Sequence, residues 1–229
     1  MKTINPNSLS GTLDNINEIL FYGKKISSAD KLKASKWIAS RQGLPKSYPG
    51  MFAPTEYDYK NGVILFTGEK ITTGAGTAHM LSEEACRALL LLNGNIKAST
   101  EALNNALKGL DADIRSVRGK GIDTPDGYYC CGKCSVSYWR NLSAQGSPKS
   151  EKLLISGLKI LKAARIDSGK WKRFPFFYTL YALLGIDNKP AIDEMRYAAP
   201  VLEKYARRSA KDKYGKRKIM LAEKVLSII

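Results

Sequence analysis

Histidine appears once in this 229-residue chain, at His79, and cysteine only four times. No apolar stretch approaches the roughly 20 residues that a bilayer core requires, which argues against membrane insertion by a helix. The amino terminus, Met1 to Ser10, lacks the basic-then-apolar design of a secretory leader, so the sequence predicts a cytoplasmic protein. Secreted disulfide scaffolds are shorter and richer in cysteine, which makes the cysteines here thiols or metal ligands rather than staples. Runs of alternating apolar and polar residues, the mark of half-buried strands, are missing too. What remains is helical periodicity punctuated by glycine and proline.

Acidic residues are also scarce, 21 against 37 Lys and Arg, for a formal net charge of +16. The excess is uneven: residues 1–110 hold 13 basic and 9 acidic side chains and residues 111–229 hold 24 and 12, so the halves carry +4 and +12. The densest run holds Arg207, Arg208, Lys211, Lys213, Lys216, Arg217 and Lys218 against Asp212 alone, with Tyr205 and Tyr214 nearby. Such a patch suits a polyanion, and nucleic acid is the partner it predicts. A solvated turn between two helices is the plainer alternative.

Ser28 is a good N-cap, and the apolar spacing after it predicts a helix to about Ser40. Gln42 to Pro54 carries too many glycines and prolines for regular structure. A helix is expected from Thr55-Glu56, with Val63 to Phe66 as its apolar side and Gly68 as its stop. Further helices are predicted over Thr77–Leu92, Lys97–Leu110, Ser135–Leu142, Ser150–Ile166, Pro175–Leu184, Pro190–Arg208 and Lys216–Ile228. The fold class is therefore all-α, built from antiparallel helical hairpins in a toroid-like or repeat-like order, with an extended connection near residues 111–129. The chain reads as one domain, 1–229, with subregions 1–110 and 111–229.

Cys130, Cys131 and Cys134 fall within five positions. Two thiols separated by two residues can converge on one metal or close into a small disulfide. Together with Cys86 and His79, Cys131 and Cys134 make a four-ligand set of the kind zinc or iron accepts. Seven residues separate His79 from Cys86, about 10 Å along a helix, an awkward reach that leaves Cys130 as a substitute ligand. A redox dithiol is the alternative, although the strand-helix-strand context of thioredoxin-like enzymes is absent. Arg41, Gln42 and Tyr48 in the broken loop supply the chemistry of a pre-organised polar pocket. Glu83, four residues after His79, would orient that imidazole as a base. These features predict small-molecule binding between helical hairpins, with a thiol-ligated metal or reactive cysteine cluster nearby.

Gly74-Ala75-Gly76-Thr77-Ala78 resembles the glycine turn of helix-hairpin-helix DNA-binding proteins, and a helix beginning there would direct backbone N–H groups at a phosphate. It is no P-loop, because no Gly-Lys-Ser/Thr follows. Asp126-Gly127-Tyr128-Tyr129 and Ser168-Gly169-Lys170-Trp171 each precede an aromatic-rich helix, with Gly127 and Gly169 offset by 42 residues. Over about residues 126–184 the chain is similar to the α/α-toroid superfamily of terpenoid cyclases and protein prenyltransferase β subunits. That resemblance implies paired helices in a ring. It does not extend to cyclase activity, since no DxDD-type motif is present, and a helical-repeat scaffold for a protein partner is a third reading.

Overall fold

The computed structural model describes residues 2–94, 96–118 and 126–229, and among them the chain is mostly helical with two very short strand pairs. The all-α class holds. No helix among the described residues is long and apolar enough to cross a membrane. Two compact units divide the chain: Met1–Leu65 with Lys70–Pro125, and Phe66–Glu69 with Asp126–Ile229.

The first unit opens with α1, Leu9–Phe21, which the sequence reading overlooks. Ser8 caps it by accepting from the Gly11 N–H, and Leu9, Leu13, Ile16 and Ile19 bury one face. Helix α2, Ser28–Ala39, matches expectation. Helix α3, Glu56–Asn61, is shorter than predicted because Gly62 turns the chain at φ 73°. The β-branched pair Val63–Ile64 then forms β1, which pairs with β2, Lys70–Ile71, instead of continuing the helix.

Helix α4, Gly74–Leu92, is the hub of this unit, packing against α1, α2, α3 and α5. Thr73 caps its start, left-handed Asn93 ends it, and every residue from Thr77 to Cys86 is buried. Helix α5, Lys97–Arg118, runs eight residues past the predicted stop at Leu110. Ala102, Ala106, Leu110 and Ile114 continue one buried stripe, and Asp111 pairs with Arg115 at 3.0 Å on the outside. The expected extended connection is thus helical over 111–118, while residues 119–125 lie outside the described chain.

One carboxylate organises two helix starts here. Asp58, 1% exposed, accepts from Ser8 Oγ at 2.6 Å and Leu9 N at 3.0 Å while completing the capping box with Thr55. Asp58→Ala strips a buried multidentate acceptor and leaves its donors unsatisfied, so a loss of about 2–4 kcal/mol is expected, measurable by urea titration. Asp58→Asn should recover part of it.

In the second unit α6, Gly132–Gln145, packs on α7, Pro148–Ala163, and on α8, Phe176–Leu183. Helices α9, Lys189–Ala206, and α10, Lys213–Leu226, pack on each other and on α8. Helix α7 stops short of the predicted Ile166, because Arg165–Ile166 (β3) pairs with Lys170–Trp171 (β4) around Gly169. Gly169 and Gly127 both hold positive φ, 72° and 78°, so the 42-residue echo marks two left-handed turns. Trp139 anchors the core: its ring stacks on Phe174, and its Nε1 donates to the Gly127 carbonyl at 2.6 Å. Buried Glu194 takes two hydrogen bonds from Arg165 and one from Trp171 Nε1. Arg165→Leu would leave that carboxylate buried without its counter-charge, for an expected loss of about 3–5 kcal/mol by denaturant titration.

Candidate metal centre

The chain enters α6 through Tyr128 and Tyr129, and the local hydrogen bonds fix how the cysteines are presented. Ser135 Oγ accepts from the Tyr129 N–H at 2.9 Å and donates to the Cys131 carbonyl at 2.8 Å, tying the entering strand to the first turn. Cys131 is the N-cap residue, extended at φ −157°, at a position where Ser, Thr, Asp or Asn is usual. Gly132 follows because nothing larger fits: a Cβ there would stand 2.2 Å from the Arg173 carbonyl oxygen. Cys134 sits on the first turn of the helix, 2% exposed.

This geometry brings two of the three thiols together. The Cys130 and Cys134 sulfurs lie within 4.8 Å of each other. All three are thiols rather than disulfides, with Cys130 and Cys131 exposed. The cluster holds one thiolate more readily than two. Hydrogen bonds from Cys130 and then Cys134, helped by the Cys134 and Lys133 amides, hold Cys131 far below the ordinary thiol range. Cys130 is pushed up to about 11, first by its hydrogen bond to Cys131. Cys134 is raised further by its bonds to Cys130 and Cys131 and by burial.

Of the predicted ligand set, Cys131 and Cys134 lie in the second unit, where the Cys134 sulfur is close to that of Cys130. Cys86 and His79 belong to the first unit, on α4, where both are buried. Burial and then the Glu83 charge raise the Cys86 thiol well above its usual pKa. His79 lies against the Tyr48 ring, centroids 4.6 Å apart, and its Nε2 is 3.3 Å from Asp113 on α5. Asp113 lies in the stretch expected to be extended, which is helical here. Glu83 itself is wholly buried.

The predicted pocket loop proves largely self-contained. Arg41 donates to the Ala53 and Pro54 carbonyls and Gln42 to the Gly50 carbonyl, so both side chains close the loop on itself. Tyr48 instead faces a cleft of about 490 Å³, with Lys46, Tyr59 and the Gly74–Ala75 start of α4. The cleft unites the broken loop and the glycine turn, two features the sequence presents separately. Tyr59, unnoticed in the sequence, donates to the Lys46 carbonyl at 3.0 Å, and burial raises its pKa.

The basic run loses one member. Arg217 is 1% exposed, donates to the Phe66 carbonyl at 3.0 Å and lies 4.0 Å over the Phe66 ring. It supports packing within the second unit rather than offering charge to a partner. Arg207, Arg208, Lys211, Lys213 and Lys216 are exposed. No family model, curated protein or solved structure matches the chain.

Proposed function

We propose that Cys130, Cys131 and Cys134 bind one thiophilic metal ion, zinc or iron, as three thiolates. The approach of the Cys130 and Cys134 sulfurs to within 4.8 Å of each other, with Cys131 as the N-cap of α6 beside them, carries this reading. Soft thiolates select such ions, and the N-terminal end of α6 offsets part of the negative charge that three thiolates bring. Two ligands precede α6 and one lies inside it, so an ion would pin the entering strand to the helix. A fourth position remains for water or another donor.

Protein purified without oxygen should hold about one ion per chain, and Cys131→Ser with Cys134→Ser should hold none. Metal-free wild-type protein in which Cys131 and Cys134 close rapidly into a disulfide would give the cluster to redox chemistry instead.

Small-molecule binding is the second reading, and the first-unit cleft favours it. Two phenols, a helix start and the Lys46 ammonium, which already pairs with Glu56 at 2.5 Å, suit a small aromatic ligand that competes for that cation. Lys46→Gln should weaken retention of such compounds in a ligand-observed NMR screen about fivefold. Equal retention by both proteins would remove the cleft from consideration.

A further inference from the structure

We infer that the second unit binds single-stranded nucleic acid along a face where cations rest against partly exposed aromatic rings. Three rings are half-buried and each carries its own cation: Lys170 lies 5.9 Å from the Phe176 centroid, Arg208 4.2 Å from Tyr205, and Lys213 4.8 Å from Tyr214. Two of the rings, Phe176 and Tyr205, are linked through Phe177. Phe176 meets Phe177 edge-on at 5.1 Å, Phe177 meets Tyr205 at 4.6 Å, and Lys218 lies 5.2 Å over Phe177. The start of α8, the end of α9 and the start of α10 are therefore joined.

The platform is held from beneath. Buried Arg217 stands 5.7 Å from the Tyr214 ring while fixed to the Phe66 carbonyl, so Tyr214 has a rigid support. Lys172, Arg173, Arg207, Lys211 and Lys216, close to these rings in sequence, are exposed. Asp212, the only acid between Arg207 and Lys218, is occupied in capping α10 through Tyr214 N and Gly215 N.

Charge alone would attract any polyanion, but the rings choose among them. A duplex keeps its bases stacked on each other and presents phosphate. A single strand offers open base faces that replace the resting cation on a ring, freeing that cation for a phosphate. The inference is independent of the metal reading, since no cysteine takes part.

The test is anisotropy of a labelled oligothymidylate of about 15 nucleotides against a duplex of equal length, each at two salt concentrations. Single-strand binding should be the tighter, with a log-log salt slope of about −0.7 per phosphate neutralised. Tyr205→Ala should cost about tenfold in affinity and leave the slope unchanged. Changing Arg207, Arg208 and Lys211 together to Gln should flatten the slope by about two units. Arg208→Gln alone serves if either of these fails to fold by circular dichroism, and should weaken binding and flatten the slope by about 0.7. Absence of binding at low salt overturns the inference. Tighter binding to the duplex or to anionic vesicles, or affinity indifferent to Tyr205→Ala, overturns it equally, leaving plain polyanion attraction.

Discussion

Gly157→Ala is expected to lower the unfolding midpoint of the second unit by about 15 °C. A Cβ at this position of α7 would lie 2.3 Å from Trp139 Nε1 and 2.7 Å from the Gly127 carbonyl oxygen. Those two atoms make the 2.6 Å hydrogen bond at the centre of the core. Neither can yield cheaply, because one belongs to a fully buried indole and the other to backbone held at positive φ. Overpacking and the loss of a buried hydrogen bond together cost about 3 kcal/mol, and each kcal/mol moves the midpoint of a unit this size by about 4–8 °C. Gly146→Ala is the control: its φ of 60° is mildly strained but nothing lies within 4 Å of the added carbon. It should cost about 1 kcal/mol. Calorimetry showing equal shifts for both would mean that the Trp139–Gly127–Gly157 contact is not packed as described.

Cys131→Ser combined with Cys134→Ser is expected to abolish metal retention and to destabilise the second unit by about 4 kcal/mol. That figure corresponds to an ion present at about a thousand times its dissociation constant. The removed ion, rather than the removed sulfurs, should account for the loss. A chelator should therefore lower the wild-type midpoint by a similar amount and leave the double variant unmoved. If the chelator moves neither protein, the thiols contribute only as small buried groups.

Helices with strong local chemistry were legible in the sequence. Ser27, Ser147 and Asn188 cap α2, α7 and α9 close to where the sequence starts them, and Asn93 stops α4 as its type suggests. The failures have physical causes. Helix α5 continues past Leu110 on a single buried Ile114 per turn, too thin a stripe to outweigh the polar residues around it. Strands of two residues, as in β1 to β4, are too short for any alternation to register. Arg217 looks like its basic neighbours in sequence; its burial depends on a carbonyl 151 residues away.

The candidate site was half legible for a related reason. The cysteine spacing was plain, but Cys130 and Cys131 are adjacent, and in a uniformly extended chain adjacent side chains diverge. The turn into α6, with Cys131 as N-cap, is what sets Cys130 close to Cys134. Partners distant in sequence stayed hidden, as the meeting of His79 with Asp113 illustrates.

The most direct measurement is titration of anaerobic, metal-free protein with Co²⁺, followed by absorption spectroscopy. Coordination by three thiolates predicts intense sulfur-to-metal charge-transfer bands that saturate at one equivalent, fall by about one third in Cys130→Ser and vanish when Cys131 and Cys134 are both Ser. A spectrum identical to aqueous Co²⁺ in the wild-type protein, or bands that persist in the double variant, would contradict the thiolate centre.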